Sequence, residues 1–381
     1  MGRKKSNPLT KMKILYIAPY LNGTGYGYVS QNYILALDRA GISVVPRSIL
    51  SQVVKPPERI TELEKQSDKD CDIVVQHTLP LHMVYNSHFR KNIGIISTET
   101  ETLGDSGWEN HLNIMDEVFV SNKQSKECCL RSGVTKPIHV IPYAFDTSVF
   151  LKDYQPIDKL KQRIGNDFTF YTIGEPNRRK NLIDLIIAFH SEFTPDEPVS
   201  LVIKTGQRDI SPISSAKELG ILCNKIKEDL GLYRNIESYK KEIVITDTLQ
   251  ELDIYKLHNT CDCFVSPSYG ESWCVPAFEA MAFGRTPIVT NYGGFKEYIN
   301  NDTGWLVDAD IEQCFGYRND IFRLYTANNY WAKIKVGALR RCMRETYSNH
   351  ELRSIKSAAG IDKAQEFSYE LVSQQFIGLL T

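Results

Sequence analysis

The chain alternates short apolar runs with stretches whose apolar residues recur at helical spacing, a pattern typical of a parallel α/β sheet. The first run, MKILYIAP, leads through a glycine-rich segment into NYILALDRAG, which has one apolar face and ends at Gly41. Strand, glycine-rich turn and helix thus follow in the order of a Rossmann-like unit. Five further runs predict the remaining strands of the same sheet: ISVVPRSI, DIVVQHTLP, NIGIIST, DEVFVSN and IHVIPYAF.

A polar segment at about residues 147–165 interrupts this rhythm, which restarts at FTFYTIGEP and continues through VSLVIKTG, EIVITDTL, CDCFVSPS, TPIVTN and TGWLVDAD. We therefore predict two domains, 1–150 and 151–363. The C-terminal sequence is interpreted as amphipathic helices, with the helix at about 364–381 as a candidate for packing back onto the first domain. Open parallel sheets bind ligands at the carboxyl ends of their strands, so we expect a shared crevice.

The most informative stretch is SPSYGESWCVPAFEAMAFGRTPIVTNYGGFKEYI, residues 266–299. Pro276 is placed near the first position of a short helix and Gly284 just past its end. The N–H groups and the dipole at the start of that helix favour a phosphate group, and Gly270 lets the backbone come close to it. An anionic ligand is therefore predicted here.

Two carboxylates accompany this helix, Glu271 in the preceding turn and Glu279 about one turn inside it. Carboxylates beside a phosphate repel it unless they accept hydroxyl groups that stand away from the charge. A nucleoside-diphosphate sugar supplies this pattern, with a ribose diol at one end, sugar hydroxyls at the other and the diphosphate between them. The stretch therefore predicts a nucleotide-sugar site.

The composition narrows the class of protein. A chain of 381 residues with 42% hydrophobic and 24% charged residues is typical of a soluble globular enzyme of about two domains. A formal net charge of −1 supplies no field that would attract nucleic acid, so no nucleic-acid binding is expected. The nine cysteines are odd in number and lack zinc-site spacing, which indicates reduced, packed thiols in a cytoplasmic protein.

The N-terminal sequence MGRKKS fits the loose pattern for myristoylation at Gly2, with Arg3, Lys4 and Lys5 able to contact anionic lipid. A frayed basic tail is the favoured interpretation, and a weak peripheral membrane contact is the alternative. No stretch of eighteen apolar residues predicts a spanning segment.

With its flanks, the stretch at 266–299 resembles the signature of the retaining glycosyltransferases of family four, which have the GT-B fold. Their pattern runs Pro-Ser, Glu-x-x-x-x-Pro, Glu-Ala-Met-Ala-x-Gly, Pro-Val, Gly-Gly-x-x-Glu and Gly-x-Leu. The matching positions here are Pro267-Ser268, Glu271, Pro276, Glu279-Ala280-Met281-Ala282, Gly284, Pro287-Ile288, Gly293-Gly294, Glu297, Gly304 and Leu306. Elsewhere, NGTGYGYVSQNYILAL resembles the first glycine loop of the family and RRKNLIDLIIAF resembles its phosphate-binding loop and helix.

The resemblance implies two Rossmann-like doubly wound domains facing a central cleft, with 1–150 on the acceptor side and 151–363 binding the nucleotide sugar. It also implies roles for individual residues. Glu279 would bind the ribose diol, Glu271 and the amides after it would face the donor sugar, and Lys180 with Arg179 would neutralise the diphosphate. The catalytic candidates are Glu271, Lys180 and Arg179, and the donor-binding candidates are Gly23, Thr24, Gly25, Arg178, Ser272, Trp273, Cys274, Val275 and Glu279.

One departure from the family concerns the strand before the basic loop, which ends Gly174-Glu175 where many relatives have Gly-Arg. This removes one expected phosphate-binding cation, for which Arg178 or Arg179 would substitute. His77 and Glu99, at two predicted strand ends, are candidates for contact with the acceptor or the donor sugar. The alternative for both is a solvated loop residue.

The reaction implied by the resemblance is transfer of a sugar from a UDP- or GDP-sugar to an acceptor hydroxyl, with the anomeric configuration retained. No cofactor and no metal are expected, because the pairs Asp70/Asp72 and Asp308/Asp310 flank strands without companion ligands nearby in the sequence. The acceptor is left open among glycans, lipid-linked sugars, proteins and small molecules. The alternatives are a GT-B nucleotide-sugar epimerase and a non-catalytic nucleotide-sugar-binding partner subunit.

Overall fold

The computed structural model describes residues 12–49, 54–206, 210–318 and 320–380, so the N-terminal basic tail with Gly2 lies outside the described residues. The chain forms two compact units. Unit 1 comprises the chain up to Thr147, the short segment Ile321–Leu324 and the chain from Gln365 onward, whereas unit 2 comprises Ser148–Asp320 and Tyr325–Ala364.

Unit 1 is built on a six-stranded parallel sheet in the order β2-β1-β3-β4-β5-β6. Its strands are β1 (Lys13–Ala18), β2 (Ser43–Ser48), β3 (Ile73–His77), β4 (Lys91–Ile96), β5 (Glu117–Val120) and β6 (Ile138–Val140). The helices between them are α1 (Gly25–Arg39), α2 (Glu58–Glu64), α3 (Trp108–Leu112) and α4 (Lys123–Arg131). All the predicted strands of the first half are confirmed.

Unit 2 contains a second six-stranded parallel sheet, in the order β12-β11-β10-β7-β8-β9. Its strands are β7 (Phe168–Ile173), β8 (Val199–Lys204), β9 (Ile243–Ile245), β10 (Cys263–Ser266), β11 (Ile288–Thr290) and β12 (Trp305–Val307). Helices α5 to α9 are Asp158–Ile164, Leu182–Glu192, Pro212–Leu230, Glu251–Thr260 and Val275–Ala282, and α10 and α11 are Val336–Ser348 and His350–Ala364.

The core of unit 2 explains why its strands read as continuous apolar runs. β8 and β10 are covered on both faces, so the neighbouring residues Leu201 and Val202, and also Val265, have no exposed surface. The apolar side of α6, including Leu185 and Ile186, packs into the same cluster. Strands buried on both faces lose the alternation of polar and apolar residues that marks a half-exposed sheet.

A two-stranded antiparallel hairpin follows β12 in unit 2, formed by β13 (Ala309–Gln313) and β14 (Tyr330–Ile334). The interpretation of the sequence after TGWLVDAD as helices is wrong here. The cause is long-range packing, since the ring of Trp331 stacks on that of Tyr269 with centroids 4.7 Å apart. A short two-stranded ribbon is marginal by itself and depends on such contacts.

The last helix, α12 (Tyr369–Leu380), belongs to unit 1. The ring of Phe376 lies 5.8 Å from that of Tyr33 on α1 and 5.2 Å from that of Phe119 on β5. The hydroxyl of Tyr369 donates to the side-chain oxygen of Asn32. None of the helices within the described residues combines the length and apolar character needed to cross a membrane.

Candidate active site

The turn between β10 and α9 is the centre of the site in unit 2. Helix α9 begins at Val275 with Pro276 in its first turn, and Gly284 follows its end with φ +70°, so the predicted boundaries of this helix are confirmed. Cys274, just before the helix, has φ +69°, a conformation that costs a non-glycine residue about 1 kcal/mol. The N-cap residue Cys274 makes no side-chain capping hydrogen bond to this helix.

The glycine pair after β11, Gly293-Gly294, packs against the turn between β10 and α9. The amide of Gly294 donates to the carbonyl oxygen of Glu271 at 2.8 Å. A Cβ atom on Gly294 would lie 1.9 Å from the carbonyl oxygen of Ser272, so only glycine fits there. Tyr298 adds to the support by donating its hydroxyl to the carbonyl oxygen of Trp273 at 2.6 Å. The glycine pair therefore fixes the turn that carries Glu271.

A short turn after β7 carries three cations, and we call Arg178–Lys180 the basic turn. Asn181, which follows it, has φ +55° and donates its side-chain amide to the carbonyl oxygen of Pro267 at 3.0 Å and to Asp184 at 2.9 Å. The basic turn is thereby tied to the turn before α9. This contact brings together two segments that lie far apart in the sequence.

Glu271 is buried and forms two ion pairs with the basic turn. Lys180 Nζ lies 2.6 Å from Oε1, and Arg179 Nη1 lies 3.0 Å from Oε2. Arg179 Nη1 also donates to the carbonyl oxygen of Gly270 at 2.7 Å. Burial alone would raise the pKa of the Glu271 carboxyl, but Arg179 and Lys180 outweigh burial and hold the pKa at about 2. Glu271 is therefore ionised at every physiological pH.

Glu279 lies inside α9 and is also buried. Its Oε2 is 3.4 Å from His258 Nε2, and His258 Nδ1 is 2.6 Å from the hydroxyl of Tyr171. Burial raises the pKa of the Tyr171 hydroxyl well above its ordinary value, so this hydroxyl keeps its proton and is able to donate it to Nδ1. In the tautomer with its proton on Nε2, His258 accepts from Tyr171 at Nδ1 and donates to Glu279.

Neither Tyr171 nor His258 was singled out from the sequence. His258 falls three positions after Tyr255 on the buried face of α8, and a polar residue on an apolar helix face was the available signal. Tyr171 lies inside an apolar strand and carried no such signal.

Arg178 does not join the cluster around Glu271. Its guanidinium lies over the ring of Tyr269, 5.2 Å from the centroid. Glu175, which stands where many relatives have arginine, is exposed. The structure thus brings Arg179 and Lys180 together with Glu271 and the carbonyl group of Gly270, whereas Arg178 contacts Tyr269.

The remaining candidates lie in unit 1. Gly23, Thr24 and Gly25 are exposed at the start of α1, where the Thr24 hydroxyl accepts the amide of Gly27 at 3.5 Å. Glu99 is half-buried in the segment after β4. The glycine loop is therefore placed at the carboxyl edge of the sheet, as the order of strand, turn and helix predicts.

His77 ends β3 and has no exposed surface, so the alternative of a solvated loop residue is wrong for it. Its Nδ1 lies 3.0 Å from the hydroxyl of Tyr16 and 3.2 Å from that of Ser30. Burial lowers the pKa of the imidazole to about 3, so it is neutral at physiological pH. The sequence did not reveal this burial because the aromatic rings around His77 come from two other elements, β1 and α1.

Metal and thiol chemistry can be judged for the described residues. Within them, no group of three or more His, Cys, Asp or Glu side chains is placed to hold a metal ion. Asp310 instead pairs with Lys335 at 3.1 Å. All nine cysteines fall in the described part of the chain as free thiols, and eight are buried, consistent with packing.

A scan against family models matches residues 155–315 to the family "Glycosyl transferases group 1". This range holds the basic turn, the turn before α9 and both glutamates. Residues 155–315 are thus similar to the group 1 glycosyltransferases.

Two curated relatives match parts of the chain at low identity. Sucrose synthase 2 of Pisum sativum is 25% identical over 175 residues, 45% of this chain and 22% of that protein. The serotype-specific mannosyltransferase WbdA of Escherichia coli is 23% identical over 255 residues, 66% of this chain and 28% of that protein. The chain thus spans less than a third of the length of these relatives.

Solved structures show the fold. Sucrose-phosphate synthase from Thermosynechococcus elongatus has a TM-score of 0.66 at 15% identity, covering 97% of this chain and 98% of that chain. Anabaena Alr3699/HepE in complex with UDP and glucose has a TM-score of 0.65 at 15% identity, covering 97% and 99%. The predicted GT-B fold of two Rossmann-like α/β domains is confirmed, whereas the cleft between the domains stays a prediction.

Proposed function

We propose that this chain is a glycosyltransferase that moves a sugar from a nucleoside-diphosphate sugar to an acceptor hydroxyl. The observation that carries the proposal is the ion cluster of Glu271, Arg179 and Lys180 beside the uncapped N-terminus of α9. Two cations and a helix N-terminus at one point form a site for a group with several negative charges.

A diphosphate is a stronger partner for Arg179 and Lys180 than the carboxylate of Glu271 alone. It offers more acceptor oxygens and more charge than one carboxylate, so it can share Arg179 and Lys180 with Glu271. As the bond to the sugar breaks, negative charge grows on the leaving diphosphate, and fixed cations stabilise that charge without reorganisation. Arg179 and Lys180 therefore supply the electrostatic part of catalysis.

The carboxylate of Glu279 is the candidate to bind the ribose of the nucleoside-diphosphate sugar. Glu279 is oriented by His258, which Tyr171 holds in one tautomer. Each carboxylate oxygen accepts more than one hydrogen bond, so Glu279 retains capacity for the two hydroxyls of a ribose. Glu271, in the turn, is in turn the candidate to face hydroxyls of the donor sugar.

We further propose that transfer retains the anomeric configuration and needs no metal ion. Retention rests on the resemblance of residues 266–299 to the retaining family. Metal independence is supported by Arg179 and Lys180, which supply the two positive charges that a divalent cation would otherwise bring to a diphosphate. The UDP named with Alr3699/HepE makes a uridine diphosphate sugar the first donor to test.

The experiment is a thermal-shift and transfer screen with uridine, guanosine and adenosine diphosphate sugars, with and without a chelator. Lys180→Ala and Glu279→Ala should each lower turnover by about tenfold or more, because each removes a charged contact. Lys335→Ala, which removes an exposed charge paired with Asp310, is the matched control and should leave turnover unchanged.

Wild-type turnover in both site variants would refute the placement of the donor. Loss of activity in chelator, restored by manganese, would refute metal independence, and an inverted anomer in the product would refute retention. Tight nucleotide binding without transfer to any acceptor would instead support a non-catalytic binding subunit.

A further inference from the structure

Two of the places where the chain passes from one unit to the other are packed against helix α9. One lies within the 3₁₀-helix Thr147–Leu151, which we call the linker turn. The other lies at the end of α11, after Ala364. Helix α9 carries Glu279, the candidate to bind the ribose, so the packing around α9 bears on the position of that carboxylate.

Phe150 contacts α9 from the linker turn, and its side chain is buried. Its ring lies edge-on to that of Phe283, with centroids 5.1 Å apart, and 6.1 Å from that of Phe278. Edge-to-face pairs of this kind are a favourable arrangement of aromatic rings. Phe278 directly precedes Glu279, and the amide of Phe283 donates to the carbonyl oxygen of Glu279 at 2.8 Å. Phe150 therefore packs against the part of α9 that carries Glu279.

The ring of Phe283 continues this contact to His258. It stacks on the imidazole with centroids 5.6 Å apart and an angle of 24° between the two planes. The imidazole is held at Nδ1 by Tyr171, whereas its Nε2 lies 3.4 Å from Oε2 of Glu279. That distance is long for a hydrogen bond, so a small displacement of the imidazole would break the contact. Phe150, Phe283, His258 and Glu279 thus form a continuous series of contacts.

Helix α11 holds α9 through a separate set of contacts. A Cβ atom on Gly360 would lie 2.8 Å from Cγ of Met281, so the two helices approach closely there. The hydroxyl of Ser357 donates to the carbonyl oxygen of Gly284 at 2.8 Å. These contacts do not involve the linker turn. Loss of the Phe150 ring should therefore leave α9 in place and loosen the side chains around Glu279.

We propose that Phe150 is a positioning residue for the ribose, acting through Phe283 and His258 to orient the carboxylate of Glu279. This inference rests on the proposed function, in which Glu279 accepts the two ribose hydroxyls. A carboxylate that accepts two hydroxyls at once must be held in one orientation by the side chains around it. Because Phe150 belongs to the linker turn, affinity for the nucleoside depends on the segment that joins the units as well as on α9.

The test is a double-mutant cycle, measured by calorimetric titration of the full chain with UDP, or with GDP or ADP where the wild type binds that nucleotide better. Phe150→Ala should weaken nucleotide binding by about threefold or more, because His258 and Glu279 lose their fixed orientation. In a Glu279→Ala background, the same substitution should change the affinity by less than about twofold, since the carboxylate that Phe150 positions is absent. Phe150→Leu keeps most of the apolar volume, so it should give a smaller loss and replaces Phe150→Ala where that variant does not fold.

A second ligand and a matched variant separate positioning from general destabilisation. The dideoxy form of the nucleotide lacks both ribose hydroxyls, so the wild type and the Phe150 variant should bind it with affinities within about twofold of each other. Tyr347→Ala removes a ring that packs on Phe168 and Phe193 of the same unit. This control should keep the wild-type nucleotide affinity.

Four outcomes would overturn the inference: wild-type affinity in both Phe150 variants, an equal loss in the Glu279→Ala background, an equal loss with the dideoxy nucleotide, or an equal loss in Tyr347→Ala. Two other outcomes would overturn the proposed function instead. They are failure of the wild type to bind any nucleotide and an unchanged nucleotide affinity in Glu279→Ala.

Discussion

The ion cluster around Glu271 predicts how stability depends on pH. Its pKa is about 2 in the folded protein against an ordinary value of 4.5, a difference worth roughly 3 kcal/mol. Because the folded pKa is lowered, this stabilisation is fully present above about pH 4.5 and is lost as the pH falls towards 2. At pH 3.5 about 1.4 kcal/mol of it should be gone. The Glu271→Gln variant lacks this carboxyl group. The difference in the free energy of unfolding between wild type and variant should therefore be about 1.4 kcal/mol smaller at pH 3.5 than above pH 4.5.

The measurement is urea unfolding at about pH 6.5 and pH 3.5, followed by tryptophan fluorescence. Three of the four tryptophans, Trp273, Trp305 and Trp331, belong to unit 2, so the signal mainly reports the unit that carries the cluster. Glu228→Gln, at an exposed position on α7, measures the general effect of losing a negative charge. A stability gap for Glu271→Gln that is equal at both pH values would refute the reasoning.

Three further predictions concern the supports of the site. Asn181→Ala should lower the free energy of unfolding by about 2 kcal/mol, because alanine is strained in the left-handed conformation and the hydrogen bond to the carbonyl oxygen of Pro267 is lost. Asn181→Gly loses the hydrogen bond without the strain, so it should lower this free energy by less in the same urea titration. Gly294→Ala should abolish the soluble fold or shift its melting by many degrees, whereas Gly220→Ala, whose Cβ would meet open space on α7, should stabilise the protein by up to about 1 kcal/mol. Tyr171→Phe removes the donor to His258 and should weaken UDP binding several-fold in calorimetry, while an unchanged affinity would exclude the proposed orienting role.

The fold was predictable because it depends on local pattern. Apolar runs buried on both faces and helices with one apolar face repeat along the chain, and Pro276 and Gly284 mark the ends of α9. The β13–β14 hairpin was missed because its stability comes from a stack with Tyr269, a contact that no local window contains.

The sequence predicted which residues contribute to the site, but it did not predict which side chains contact one another. The glutamates and the basic loop were recognised from their motifs, but the bond between Lys180 and Glu271 spans 91 positions of sequence. The burial of His77 and the coupling of Tyr171 to His258 arise in the same way, since each is decided by which side chains a distant element brings near. Arg178 and Arg179 show most clearly what the sequence does not predict. They are adjacent in the chain, yet the Arg178 side chain lies over the ring of Tyr269 and the Arg179 side chain pairs with Glu271.

The membership of α12 in unit 1 has a consequence for synthesis on the ribosome. The sheet that contains β1 is translated first, yet the helix that covers Tyr33 and Phe119 is translated only after all of unit 2. Unit 2 can therefore complete its core while the nascent chain still exposes an aromatic surface near its beginning. Chaperones that bind exposed apolar surfaces should therefore bind this nascent chain for most of its elongation, until α12 is synthesised and packs onto unit 1.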